Sequence, residues 1–395
     1  MPLSGSARII RIATTSICGR PMANSAMRTV NRLILVEEQA VLAAIAIGIG
    51  VIVGIGLFVP FVALSYRRRG RLSLGRMLLW FAALVYFWAI WTYTLLPLPD
   101  PDAIRCVGMI TDPLDMVRDV RKAIAAPGRT LTNPAVLQLA FNVLLFVPLG
   151  FFLRVLGGRG IIAALLVGFG LSLFIETTQL TGVWGIYPCA YRFFDVGDLI
   201  TNTTGALLGS ILALVVPRAH RGLAVAPDAG RPRPVTRGRR ALAMLCDGIG
   251  FSLLAWTISI ATQLYVGYVL DDRALMVEGE LAGFVGTACA AALWLLFTLA
   301  TGQSIGDFSV QLRYRGSRLP EFVARLLRWA GGVAALTAFG LLPQPFGFAS
   351  GLLLLLACVL FVFTRQGRGL PGILSGQQLT DAREQRADAR RQPAS

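Results

Sequence analysis

The chain is short of most of what marks a soluble enzyme. Only 15% of its 395 residues are charged, a single one is histidine, and a single one, Lys122, is lysine. So few charges cannot clothe a water-facing globule of this length. The lone His220 lies in a basic loop, and the six cysteines show no CxxC or Cys/His spacing, which argues against a metal site. No nucleophile elbow and no activated Ser/His pair is visible, so the reading leans away from an enzyme, and no cofactor is expected.

What is present is apolar: 55% of the residues are hydrophobic, in runs that recur along nearly the whole chain. About 20 such residues span a bilayer. The pattern predicts an all-α, polytopic membrane helical bundle of about nine transmembrane helices, near 40–65, 77–97, 134–156, 161–181, 197–216, 241–265, 280–300, 323–342 and 346–364.

The formal net charge of +16 would suggest nucleic acid in a soluble protein. Here the arginines gather in alternate loops instead: Arg67, Arg68 and Arg69; Arg154 and Arg159; Arg218 to Arg240; Arg313 to Arg318. The intervening loops carry Asp100, Asp112, Asp115, Asp271 and Glu278. By the positive-inside bias the arginine loops are cytoplasmic, the C-terminus inside and the N-terminus outside. The expected partners are membrane lipids, not nucleic acid, and nothing sets an oligomeric state. A basic Pro/Gly stretch, 218–238, splits the spans into five and four, giving bundles over 39–217 and 239–366. Residues 1–38 read as disordered or as an over-extended start, because Met27 offers a later one. Residues 367–395 read as a charged, disordered tail.

The first bundle carries polar residues where they cost most. Asn142 lies near the outer end of the third span, Glu176 and Gln179 in the last turns of the fourth, and Asp198 and Asn202 in the first turns of the fifth. Residues three or four apart share a helix face, so these five fall at similar depth, with Arg192 and Asp195 on the loop above. Asp198 is placed to cap the fifth span. Such groups at one level imply a shared pocket, since each charge costs about 2.5–3.5 kcal/mol at mid-helix. Arg192 would grip a phosphate or carboxylate of a cell-wall precursor or lipid headgroup. The alternative is a set of internal hydrogen bonds, with Arg192 paired to Glu176 or Asp195, that locks the helices. Gly205 and Gly209 form a GxxxG, Gly168 and Gly170 thin the fourth span, and Pro148 and Gly150 offer an opening in the third. Cys106 and Cys189 fall in two predicted outer loops, as a possible disulfide or as two free thiols.

The stretches "FNVLLFVPLGF", "SLFIETTQL" and "RFFDVGDLITNTTGALLG" together resemble the VanZ-like family over about 40–217. The resemblance implies a bacterial cytoplasmic-membrane protein of envelope function, with some members linked to tolerance of teicoplanin-type glycopeptides. It supplies no biochemical activity. Transport or ion/proton antiport, and an enzyme on lipid-linked envelope precursors, stand as the alternative functions.

In the second bundle, Arg240, Asp247, Gly302, Ser304, Gly306 and Arg325 resemble the pattern of the RDD family over about 238–365, with Asp307 where that family has lysine. Arg240 and Asp247 share one helix face. Asp247 is expected to pair with Arg325 or Arg328, in a structural or ion-handling role.

Overall fold

The computed structural model describes residues 22–96, 98–99, 104–125, 130–222, 224–343 and 346–384. The protein is a bundle of antiparallel apolar helices. Among the described residues seven are long and apolar enough to cross a membrane, so this is a multi-pass membrane protein. They belong to α1 (Met22–Arg69), α2 (Leu74–Leu95), α4 (Pro134–Val155), α5 (Ile161–Leu180), α7 (Val196–Leu212, extended by a 3-10 turn), α8 (Arg237–Tyr268) and α10 (Glu280–Thr301).

The remaining spans depart from the expected nine. The eighth is broken: α12 (Glu321–Ala330) and α13 (Val333–Phe339) meet at 58° across Gly331 and Gly332. The ninth corresponds to α14 (Phe346–Phe363), which is apolar over Ala349–Phe363. Local sequence sets the helix starts. Ser73, Asn133, Asp195 and Thr236 each stand at an N-cap and accept a backbone N–H of the first turn, and Pro134 follows Asn133, where no N–H is needed.

Close helix approach is concentrated where α4 meets α7. A Cβ on Gly205 would lie 2.1 Å from the Val143 carbonyl oxygen, and one on Gly209 only 1.8 Å from that of Val147. The GxxxG pair thus lets two backbones touch. Gly150 serves the same contact from the other side, 1.8 Å from the Ala206 carbonyl oxygen. It opens no gap, and α4 runs unbroken through Pro148. Gly170 faces open space, so it thins nothing.

The ends of the bundle differ. At one, the acid end, lie the C-terminus of α2, helix α3 (Asp115–Ala125) and the N-termini of α4 and α7. Here β1 (Met109–Ile110) pairs in parallel with β2 (Phe194–Asp195), in the register Met109 to Phe194 and Ile110 to Asp195. A disulfide joins Cys106 to Cys189, with the Cα atoms 5.5 Å apart. The two acid-end loops are thereby tied into one unit.

At the other, the arginine end, β3 (Leu312–Arg315) pairs antiparallel with β4 (Gln378–Asp381), after the short helices α11 (Ile305–Ser309) and α15 (Gly369–Leu374). This corrects the expected tail. Residues 369–384 are folded because Asp381, whose side chain is fully buried, accepts from two guanidinium groups, Arg239 at 2.8 Å and Arg383 at 2.6 Å. Arg233 N–H adds a third contact at 3.0 Å, and Arg383 also donates to the Ala229 carbonyl at 2.9 Å. The linker and the tail are therefore pinned to the bundle together. The end of the expected tail, 385–395, lies outside the described residues, as does 1–21 of the expected N-terminal segment; residues 22–38 are part of α1 rather than disordered.

The division into two bundles is not clean either. Val62 and Tyr66 of α1 share a buried core with Ala243 and Cys246 of α8 and with Val310, Leu312, Tyr314 and Leu379. A separate core of Ile90, Phe146, Ile175 and Ala206 joins α2, α4, α5 and α7. The first helix therefore bridges both halves.

Candidate functional site

The acid end gathers the polar residues singled out from sequence, though in neighbouring sets rather than one open chamber. Asn142 of α4 donates its amide to Asp198 of α7 at 2.5 Å. Glu176 of α5, only 3% exposed, accepts the backbone N–H of Asp195 at 3.0 Å. Asn202 of α7 donates to the Ser172 hydroxyl of α5 at 2.9 Å, and both are buried. Gln179 turns away to the second span and donates to the Thr94 carbonyl at 2.7 Å.

Two expectations fail here for identifiable reasons. The N-cap of α7 is Asp195, which accepts Gly197 N–H at 2.7 Å; β2 ends there and the helix starts directly after it. Asp198, one turn on, is left with its carboxylate turned to Asn142. Arg192 pairs with neither Glu176 nor Asp195. It is exposed and donates to the same Thr94 carbonyl as Gln179, at 3.1 Å, capping the C-terminal end of α2. Two donors from different elements thus satisfy one helix end, and most of the Arg192 fork stays open to the surroundings.

The sequence reading missed α3. A cavity of about 160 Å3 lies between α3, the start of α4 and the start of α7, lined by Asp115, Asp119, Gln138, Asp195 and Asp198. The signal was available: Asp115 and Asp119 are four apart on a short helix, and so share a face. Arg118 and Lys122 pair with Asp115 and Asp119, whereas Asp195 and Asp198 have no cationic partner among the described residues. Arg118 also reaches Asp112, and its hydrogen bond holds the Asp112 carboxyl below the usual range.

Just after α5 the chain is strained. The one-turn α6 (Gly182–Gly185) holds Val183 and Trp184 at φ of 55° and 57°, a conformation that β-branched valine strongly resists. It is kept in place by Trp184, whose indole N–H donates to the Thr178 hydroxyl at 3.1 Å. Strain that is over-determined by its surroundings often accompanies a functional site.

At the arginine end, Arg240 and Asp247 do belong to one buried network, but with partners other than those expected. Arg240 pairs with Asp307 at 2.5 Å. Asp247 accepts the Ser304 hydroxyl and the Gly306 N–H, both at 2.7 Å, and forms an ion pair with neither Arg325 nor Arg328. The turn into α11 brings the backbone N–H closer to Asp247 than any guanidinium. Arg325 stands apart, bonded to Glu321 and to the Leu299 carbonyl at the end of α10. Among the described residues no cluster of His, Cys, Asp or Glu is arranged to hold a metal ion.

Residues 81–217 match the VanZ/LLP1 family model. No curated protein and no solved structure matches the chain. The matched stretch holds both disulfide cysteines, all seven polar residues singled out at the acid end, and the aspartates of α3. The acid-end site is thus the part of this membrane protein that is similar to the VanZ/LLP1 family.

Proposed function

We propose that the acid end is a binding site, open to the outer surface of a bacterial cytoplasmic membrane, for a polar envelope ligand carrying an amine. The observation that carries this reading is the cavity at α3, α4 and α7, with four aspartates in its wall, of which Asp195 and Asp198 have no ion-pair partner among the described residues. An ammonium group would supply the missing counter-charge, and Gln138 would add a neutral hydrogen bond. The remaining donors of Arg192, three residues before Asp195, suit a phosphate or carboxylate. A cell-wall or lipid-linked precursor has this combination of groups.

The role that follows is a contribution to envelope function or glycopeptide tolerance, in keeping with the similarity to the VanZ/LLP1 family. The disulfide supports placing this end outside, where thiols are oxidised. The polar groups form separate sets at opposite ends of the bundle, which favours binding over transport. The likeness of residues 238–365 to the RDD family stays part of this proposal.

The test is teicoplanin susceptibility of a deletion strain carrying wild type, Glu176→Gln, Asp198→Asn or Arg192→Ala, with membrane protein levels measured. Lost tolerance at unchanged protein level is expected. Full rescue by all three variants would remove the case for a functional site. Cys106 and Cys189 should react with an impermeant thiol reagent on intact cells only after reduction; reaction only after lysis would invert the orientation.

A further inference from the structure

At the arginine end, a second cavity of about 350 Å3 lies between α8, α10, the α12–α13 break, α14 and α15. Its polar wall is made by Arg240, Asp247, Ser304, Asp307, Arg328 and the neighbouring Trp329. Much of the rest is apolar, including Trp294, Leu336, Leu354 and Ala357. Gly331 and Gly332, where the eighth span bends, also line it. Irregular backbone at membrane depth is tolerated where it borders a cavity.

The hydrogen bonding of this wall is unbalanced in one direction. Both carboxylates are satisfied: Asp307 by Arg240, Asp247 by Ser304 and Gly306. The donors are not. Arg328 is 4% exposed, and among the described residues no carboxylate lies within ion-pair distance of it. It makes one long hydrogen bond, 3.4 Å to the Gln377 amide oxygen, and its guanidinium sits 5.3 Å from the Tyr314 ring centre. Its Nη2, the Nε of Arg240 and the indole N–H of Trp329 are buried without a partner. No acceptor of a lining residue is left in that state. A buried guanidinium with spare donors is costly, and the aspartate of the same wall, Asp307, is already bonded to Arg240. The wall is therefore complementary to a group rich in acceptors and negative in charge.

The apolar remainder narrows the ligand further. Leu245, 51% exposed, Leu354 and the exposed Cys358 carry the cavity out to the lipid-facing surface of the bundle. An acyl chain can thus enter sideways from the bilayer. We propose that this cavity binds a membrane lipid with an anionic phosphate headgroup, the phosphate held by Arg328, Arg240 and Trp329 and the start of an acyl chain lying against Trp294, Leu336 and Leu354. Arginine suits the task because its planar fork meets two phosphate oxygens at once.

Native mass spectrometry of the full-length protein, exchanged into mixed detergent with dioleoylphosphatidylglycerol or dioleoylphosphatidylcholine, tests this. Wild type should retain the anionic lipid about tenfold better, the equivalent of one hydrogen bond to a charged group. Arg328→Gln should bring the two lipids to parity, Arg328→Lys should keep part of the preference, and Arg273→Gln, at an exposed arginine outside both cavities, should leave it unchanged. A second readout needs no variant: phosphatidylglycerol should slow alkylation of Cys358, at the cavity mouth, and leave the exposed Cys289 unaffected. Equal retention of both lipids, an undiminished preference in Arg328→Gln, or no protection of Cys358 would overturn the proposal. Protection of Cys358 by inorganic phosphate alone would make the ligand a soluble anion and overturn it as well.

Discussion

The acid end and the arginine end of this bundle solve the same problem in opposite ways. Both bury carboxylates. At the acid end, Glu176 and Asp198 lean on neutral donors, a backbone N–H and an amide, with no guanidinium closing on either. At the arginine end, Asp307 and Asp381 meet guanidinium groups at 2.5–2.8 Å. Breaking a full ion pair strands a charge on the other side, whereas neutralising a carboxylate held by neutral donors strands nothing. The Asp307 and Asp381 pairs of the arginine end are thus a lock beside the Arg328 cavity, whereas Glu176 and Asp198 at the acid end have no ion-pair partner among the described residues.

The largest test of that contrast is Asp381→Asn. It leaves Arg239 and Arg383 buried without a counter-charge, and should cost about 3–5 kcal/mol in unfolding measured in detergent. Burial alone would raise the Asp381 carboxyl, but the hydrogen bonds of Arg383 and Arg239 outweigh it and bring it to about 2. Since the folded value lies below the ordinary 3.8, the contribution of Asp381 should be complete above that pH and vanish as pH falls through 2. A stability flat with pH down to 2 in wild type would contradict the lock.

A smaller effect is expected from packing. Gly209→Val pushes a side chain against the Val147 carbonyl and should cost about 1–3 kcal/mol, while Gly170→Ala, which faces open space, should be close to neutral by the same unfolding measurement. Equal costs would show that the α4–α7 contact is not the tight one. An effect smaller than that of Gly209→Val is expected from Glu176→Gln. The new amide oxygen can still accept the Asp195 N–H, so the loss should be about 1 kcal/mol or less, within the range of one neutral hydrogen bond. If the same variant abolishes tolerance in cells, the two ends are separated by function as well as by chemistry. A loss as large as that of Asp381→Asn would make the acid end a lock too.

Much of this was legible in the order of residues, and the failures have causes. The apolar runs gave all seven crossing helices, and the GxxxG spacing of Gly205 and Gly209 gave the face that α7 turns to α4. The loop cysteines lay in the right pair of loops for their bond. Partner choice was the weak point. Arg192 found Thr94 rather than an acid, and Asp247 found Ser304 and Gly306 rather than an arginine. Spacing along a helix says which face a group is on, but the donor it meets comes from whichever element packs there. The tail misled for a related reason: its charges look solvated until Asp381 is paired with Arg239, 142 positions earlier.

By itself the sequence determined the spanning helices and their alternating direction, because hydrophobic length and flanking charge act residue by residue within one segment. It also put the costly polar groups near the ends of three consecutive spans. Only the tertiary structure decided which of them meet, that α3 closes an acidic cavity over α4 and α7, and that Arg328 is left buried with spare donors. Those outcomes depend on side chains brought together from distant segments, where a shift of a few ångströms changes a hydrogen bond into none.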